Sequence, residues 1–407
     1  MNVDKKGLYN LVGGPPSTTT SATAGSSSTI PTSLRSAPPP VPDTLIAFPR
    51  PHVLLVTLNR PAHLNAVTRA QHAALHRLWT WFDAEPWLRC AVVTGGGGAR
   101  AFSAGADLKE WDGHLSSGEG GGQVRREGGE KTKEEEEEKP GEDHRAASGG
   151  SRRRSDDDDD EDDHGGFGGL SNRKGKKPVL AAVNGLCLGG AMEMVLNADM
   201  VLAREGATFG LPEVRVGVVA VAGALPRLVR TAGRQRAAEM ALLGGTDYTA
   251  EEMRAWGIVN RVVRAAPSSS SSSSTSPSSS PSTREDSTQS ATTEKKNKRE
   301  KRGFTEQEQQ KRQKQREEKE AEAAARATVD EALRWAGILA AECSPDSVIV
   351  SREGLLGGWE AEDPQASTRR VAGAGGPYRR MDGGDNMREG VRAFVEKRKP
   401  AWQDSKL

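Results

Sequence analysis

Short apolar strands alternating with amphipathic helices predict an α/β layered fold for this chain of 407 residues. Three observations carry that expectation. Apolar runs such as "RCAVVTGGG" and "KPVLAAVNGLCLGG" end in glycines, as a buried strand entering a tight turn does. Stretches with helical spacing of apolar residues lie between those runs. Blocks of low complexity fall between the elements and not within them.

Those blocks define the organisation. A Ser/Thr/Pro-rich tail occupies residues 1–43. A stretch at about 113–177 carries glycines, "EEEEE" and "DDDDDEDD", and one at about 266–320 opens in serine runs and ends in a basic, Gln-rich sequence. Such segments hold too little apolar surface to offset the entropy of ordering, so they are expected to be disordered. Insertions of this kind cost little at a loop, because closure entropy grows only logarithmically with length. The remaining segments, 44–112, 178–265 and 321–399, total about 240 residues, the size of one large domain. Residues 44–402 therefore read as a single interrupted domain, and 403–407 as a short C-terminal tail.

The elements follow in order. "HVLLVTLNRP" (52–61) is a β-rich run stopped by proline. "TRAQHAALHRLWTWFDAE" (68–85) is helical, with Ala73, Leu75, Leu78, Trp79 and Phe82 available for the buried face. "RCAVVTGGG" (89–97) is a buried strand, and "AFSAGADLKEW" (101–111) a turn leading into a helix. "KPVLAAVNGLCLGG" (177–190) is a strand with a Gly turn, "AMEMVLNA" a helix, "DMVLARE" a strand and "ATFGLPEVRVG" a strand-like loop. "PRLVRTAGRQRAAEMALLGG" (226–245) is helical with a break at Gly233. Thr249 and Glu252 form a capping box for the next helix, which a strand follows. "ARATVDEALRWAGILAAE" (325–342) is helical.

Composition limits the function classes. The formal net charge of +1 averages acidic and basic blocks in different linkers, so it points to no partner. The basic stretch 295–316 lacks interleaved aromatics, and its plain reading is a solvated linker rather than a nucleic-acid site. Three scattered cysteines without CxxC spacing argue against a disulfide framework and a metal site. No apolar run approaches membrane-span length, and the first residues have no signal-peptide apolar region. Ser405-Lys406-Leu407 matches a peroxisomal address read by an import receptor; a Ser/Thr-rich mitochondrial presequence is the alternative.

The chemistry concentrates in "LGGAMEMVLNADMVLAREGATFGLPEVRVG" (188–217). Gly189 and Gly190 open a helix after a strand, so free N–H groups and a partial positive charge point outward there. The same pattern recurs at Ala104-Gly105-Ala106-Asp107. Two such turns can aim two N–H groups at one oxygen, an oxyanion hole; each alone is also an ordinary strand-to-helix turn. Glu193 lies in the first turn of its helix, where a glutamate also simply stabilises the helix N-terminus. Glu213 reads equally as a solvated loop residue. Two carboxylates in apolar company can instead have raised pKa values and divide acid and base work on one water.

"AFSAGADLKEW", "AAVNGLCLGGAMEM", "DMVLAREGATFGLPEVRVG" and "AFVEKRKP" together resemble the crotonase, or enoyl-CoA hydratase/isomerase, superfamily, in the same order along all three foldable segments. The resemblance implies an α/β spiral of ββα turns with a C-terminal helical region, assembled as trimers or dimers of trimers. It implies Ala106 and Gly190 N–H as the oxyanion pair, with Glu193 as base and Glu213 as acid in hydrating a 2-enoyl-CoA. It places Ala62, Leu64, Ala104, Asp107, Leu108 and Lys109 along coenzyme A, and Phe394 and Lys397 near its adenine. Coenzyme A is then part of the substrate, and no other cofactor or metal is implied. One departure stands out: "VAVAGAL" (219–225) puts Val221 where a glycine is usual, which is similar to the carnitinyl-CoA dehydratase-like branch. The alternatives are an enoyl-CoA isomerase using one glutamate, and a crotonase scaffold that binds RNA through its basic linker.

Overall fold

The computed structural model describes residues 30–110, 165–264, 306–360 and 369–407. Two sheets organise the domain. The larger has six strands: β1 (Thr44–Arg50), β2 (Val53–Leu58), β3 (Cys90–Gly95), β5 (Val179–Val183), β7 (Met200–Arg204) and β10 (Arg261–Val263). They are neighbours in that order, antiparallel at β1–β2 and parallel thereafter. The smaller sheet runs β4 (Ala101–Ser103), β6 (Leu186–Leu188), β8 (Thr208–Gly210) and β9 (Tyr248–Thr249). The chain thus spirals. β3 feeds β4, β5 feeds β6 and β7 feeds β8, and each turn adds one strand to each sheet. The run "KPVLAAVNGLCLGG", which reads as one strand, is split at Asn184-Gly185 into β5 and β6. Asn184 locks the corner by accepting from Gly95 N–H at 3.1 Å and donating to Gly95 O at 2.9 Å.

The parallel strands are apolar on both faces because both faces are covered. Ala181 and Val183 of β5 join the core beneath α1 (Arg69–Ala84) and α2 (Gly190–Leu196). Leu180 and Ala182 of the same strand face the opposite cluster, under α6 (Glu306–Ala341). Three alanines four residues apart, Ala332, Ala336 and Ala340, are at most 1% exposed, and their small side chains let α6 lie close on the sheet. On α1 the buried face is Gln71, Ala74, Leu75, Leu78, Trp79 and Phe82, so Ala74 takes the place expected for Ala73.

The helices α3 (Ala224–Ala232) and α4 (Arg234–Leu243) meet at Gly233, and α5 (Ala250–Ala255) carries its capping box. After α6 come α7 (Pro345–Glu360), α8 (Pro377–Met381) and α9 (Asp385–Val395), the C-terminal helical region.

Element edges differ from the composition-based boundaries in four places. Residues 165–177 are packed, not part of a linker. Trp79 Nε1 donates to Gly168 O at 3.0 Å, Arg173 pairs with Asp83 at 2.6 Å, and Lys177 Nζ donates to Phe82 O. Residues 306–320 are helical, because α6 starts well before the apolar periodicity does. Arg35 N–H donates to the Glu85 carboxylate and Val41 is buried, so the end of the N-terminal tail rests on the domain. In the C-terminal tail, Gln403 N–H donates to Asn386 and Lys406 pairs with Asp385. The rest of the low-complexity sequence, with residues 295–305 of the basic stretch, lies outside the described residues.

Candidate active site

The two Gly-containing turns come together. β6 is followed by Gly189, whose N–H donates to Gly210 O at 3.0 Å and whose φ of 57° suits glycine. Gly190 then opens α2. A Cβ on Gly190 would sit 2.5 Å from the Phe167 ring, so only glycine fits there. The second turn, after β4, touches the first: a Cβ on Gly105 would be 2.8 Å from Leu188 O and 3.2 Å from Gly190 N.

Ala106 forms a parallel bridge with Val67. The bonds of that bridge run from Val67 N–H to Gly105 O and from Asp107 N–H to Val67 O, at 2.9 and 3.1 Å. The N–H of Ala106 itself is therefore turned away from the bridge. Gly190, as the first residue of a helix, also has no intrahelical acceptor for its N–H. Two backbone donors on abutting turns thus line one cavity, of about 440 Å³. Asn65 holds this region by donating to Gly96 O and Ala101 O, and Arg60 by binding Ala66 O and the Asp107 carboxylate.

Glu193 and Glu213 line the same cavity. Glu193 is 5% exposed on a helix whose every residue is buried. Burial pushes its carboxyl up to about 7, and the charge of Glu213 adds to this; the Ala224 N–H, donating at 3.4 Å, opposes it. Glu213 follows Pro212 on a short 3-10 turn after β8. Its Oε1 lies 3.1 Å from the position of a Cβ on Gly189, which puts the carboxylate beside the start of α2. Burial raises its pKa as well, against a hydrogen bond from its own backbone N–H, and its Oε2 is buried with no hydrogen-bond partner among the described residues. Glu193 thus faces the cavity from the first turn of α2, and Glu213 from a half-buried turn.

Other residues fall in and out of the cavity. Ala104 and Leu108 line it. Asp107 and Lys109 do not, and the Asp107 carboxylate is engaged by Arg60 at 3.0 Å. Ala62 sits in the exposed turn Pro61–His63, and Leu64 follows it in a left-handed conformation, both off the cavity wall. Phe394, 85% exposed on α9, and Lys397, just past its end, are also away from the wall.

Two wall residues were not expected from the sequence. His72 of α1 and Phe167 pack edge to face at 6.0 Å between centroids, and both line the cavity. Gly168 N–H donates to His72 Nδ1 at 3.2 Å. The helical register of α1 marked His72 only as a flank of the buried face, and Phe167 sits in "HGGFGG", which reads as linker. Among the described residues no three His, Cys, Asp or Glu side chains cluster as a metal site, and no helix is long and apolar enough to cross a membrane.

Models of the family Enoyl-CoA hydratase/isomerase match residues 53–130 and 170–331. The mevalonyl-coenzyme A hydratase SIDH of Beauveria bassiana is 48% identical over 370 residues, 91% of this chain and 98% of that protein. The chain belongs to the enoyl-CoA hydratase/isomerase family. The mevalonyl-coenzyme A hydratase sidH of Aspergillus fumigatus is 37% identical over 374 residues, again 91% of this chain and 98% of the relative. The carnitinyl-CoA dehydratase of Salmonella typhi is 34% identical over 212 residues, 52% of this chain and 64% of its own length. The resemblance to that branch is present, but the two fungal hydratases match far more of the chain. Solved structures of enoyl-CoA hydratases share the fold of this family member. The protein from Mycobacterium tuberculosis H37Rv has a TM-score of 0.56 at 23% identity, and that from Bacillus anthracis 0.57 at 20%, each covering 89% of this chain and 100% of its own.

Proposed function

We propose that the protein adds water across the 2,3 double bond of an enoyl-CoA thioester and removes it in reverse, with a mevalonyl-like acyl chain as its hydrated form. The carrying observation is the pair of carboxylates, buried Glu193 and half-buried Glu213, in one cavity with two outward backbone N–H groups. The acyl assignment rests on likeness to proteins named mevalonyl-CoA hydratase.

The thioester oxygen sits between the Ala106 and Gly190 N–H groups. Attack by water oxygen at C3 drives the π electrons toward that oxygen as an enolate. Each well-placed donor lowers such a barrier by roughly 3 kcal/mol. One carboxylate takes the proton of the attacking water, and the other, carrying a proton, delivers it to C2. The N–H of Ala224 favours the charged form of Glu193, which suits the base. Among the described residues the Oε2 of Glu213 has no hydrogen-bond donor, which suits a neutral carboxyl and the acid, while its own backbone N–H works the other way. Burial raises both carboxyls, Glu193 to about 7, which suits proton transfer near neutral pH. Coenzyme A enters as part of the substrate.

The test offers the purified protein 5-hydroxy-3-methylpent-2-enoyl-CoA and its 3-ene isomer, with products read by mass spectrometry. Gain of one water by the 2-enoyl thioester is expected. Interconversion of the two isomers at unchanged mass would overturn hydration in favour of isomerisation. The peroxisomal reading of Ser405-Lys406-Leu407 is a separate proposal. A fluorescent protein fused ahead of the chain should give peroxisomal puncta that disperse when Leu407 is deleted; diffuse signal from the intact tripeptide would refute it.

A further inference from the structure

We propose that Arg227 is a positioning residue: it ties the first turn of α3 to the segment carrying Phe167, and so keeps the Ala224 N–H on the carboxylate of Glu193, the base. The inference deepens the proposed hydratase reading and rests on it for the role of Glu193. Glu193 and its donor come from different elements. The carboxylate rides on α2, while Ala224 is the first residue of α3, and its N–H reaches Glu193 Oε1 at 3.4 Å. The chain that leads into α3 offers little support, since Val219 and Val221 are exposed. The start of α3 therefore needs a tether if the donor is to stay at the carboxylate.

Arg227 is placed to supply it. It lies one turn into α3 and is buried. Its Nη1 donates to Ser171 O at 2.7 Å and to Asn172 Oδ1 at 2.9 Å. The guanidinium folds back over the entry to the helix: a Cβ on Gly223 would collide with Arg227 Nη1 and Asn172 Oδ1, and the φ of 102° at Gly223 suits glycine. The acceptors are themselves anchored to α2. Asn197, the C-cap of that helix, donates to Leu170 O at 2.7 Å, and Ser171 N–H donates to Phe167 O at 3.2 Å. A closed circuit results. It runs from α2 through Asn197, residues 170–172 and Arg227 to the start of α3, and returns to Glu193 through the Ala224 N–H. The groups around Glu193 act in opposite senses. Burial raises its carboxyl to about 7 and Glu213 adds to this, while the N–H groups of Ala224 and Ala222 and the charge of Arg227 oppose it. His72 of α1 lines the same cavity. A planar guanidinium fixes direction as well as carrying charge, whereas an ammonium acts as a point charge.

The test reads the Glu193 carboxyl directly, without turnover. Its infrared band is identified in the full-length protein as the one that Glu193→Gln removes. Its titration is then compared in wild type, Arg227→Met, Arg227→Lys and Asn172→Ala. Arg227→Met should raise the midpoint by roughly one pH unit, because a charge and an aligned donor that favour the carboxylate are lost. Arg227→Lys keeps the charge and should raise it less. Asn172→Ala removes one acceptor, leaves the charge in place and should also raise it less. These two carry the test if Arg227→Met does not fold. On 2-enoyl-CoA the acid limb of kcat in Arg227→Met should move to higher pH by the same amount. There kcat at neutral pH should fall about ten- to hundredfold, while binding of a saturated acyl-CoA changes by no more than about twofold. A midpoint that stays put in Arg227→Met, or in both other variants where that one does not fold, would overturn the proposal. Equal loss of kcat and of acyl-CoA binding with the limb unmoved would also overturn it, marking Arg227 as part of the scaffold alone. Failure of the hydratase reading shows separately, as a wild type that adds no water although its Glu193 midpoint still rises in the variants.

Discussion

Glu193 rides on α2, a helix whose seven residues are all buried, whereas Glu213 rides on a three-residue turn in which Val214 is 44% exposed and after which Val216 is 55% exposed. The two carboxylates face one cavity from opposite kinds of support. On the first side, any shift must disturb Met192 and Val195, which are part of the main core. On the second, the wall continues through Val219 and Val221, 59% and 82% exposed, with little core behind it. The difference separates two tasks. The oxyanion donor and the deeply buried carboxylate are fixed by packing, while the wall that bounds the acyl chain can vary without unsettling the fold. Val221 in place of a glycine is a change of that second kind.

The comparison is broken most severely by removing either carboxylate. Glu193→Gln and Glu213→Gln should each lower kcat for hydration by about two to four orders of magnitude. Binding of a saturated acyl-CoA should survive in both, since the oxyanion donors are backbone groups. Stopped-flow hydration assays and calorimetry on the same samples read both quantities.

A smaller effect comes from the burial of the two carboxyls. The Glu193 carboxyl titrates at about 7 in the folded protein against an ordinary 4.5, so the folded state holds its proton more tightly than the unfolded state. Stability from this group therefore falls as pH rises from about 4.5 to 7 and stays low above that. Glu193→Gln removes the loss. The variant should be more stable than wild type at pH 8 by about 1–3 kcal/mol and no more stable at pH 4. Glu213→Gln should shift in the same direction, because burial raises that carboxyl too. Urea unfolding of all three proteins at both pH values checks this, and a variant difference independent of pH would be wrong for it.

The smallest effect belongs to the exposed wall. Val221→Ser should change stability by less than about 0.5 kcal/mol. It should raise KM for apolar acyl chains by at most a few-fold while leaving kcat in place. Chemical denaturation and steady-state kinetics on two chain lengths measure it; a collapse of kcat would mean that this wall positions Glu213 more firmly than its exposure indicates.

The same contrast explains what the sequence made legible. Residues held by local turn geometry could be read directly: Gly189 and Gly190 at the start of α2, Ala106 after β4, and the two glutamates in apolar runs all reach one cavity. Residues that reach it only through tertiary packing could not. Phe167 lies among glycines next to an acidic block, and nothing local shows that Trp79 will anchor the neighbouring Gly168. His72 sits beside the apolar stripe of α1 and has no periodic signal of its own. The start of α6 is not legible because 309–320 carry charged and Gln residues that form a solvent-facing helix without an apolar face. The corner at Asn184-Gly185 was missed because both strands it joins are equally apolar.

Combining the two substitutions tests most directly whether both carboxylates act on one water. Hydration is measured for wild type, Glu193→Gln, Glu213→Gln and the double variant on the same 2-enoyl-CoA. If the pair works as a unit, the double variant should be scarcely slower than the worse single variant. Either single variant turning over at the wild-type rate, or losses that multiply in the double variant, would contradict a shared water held between Glu193 and Glu213.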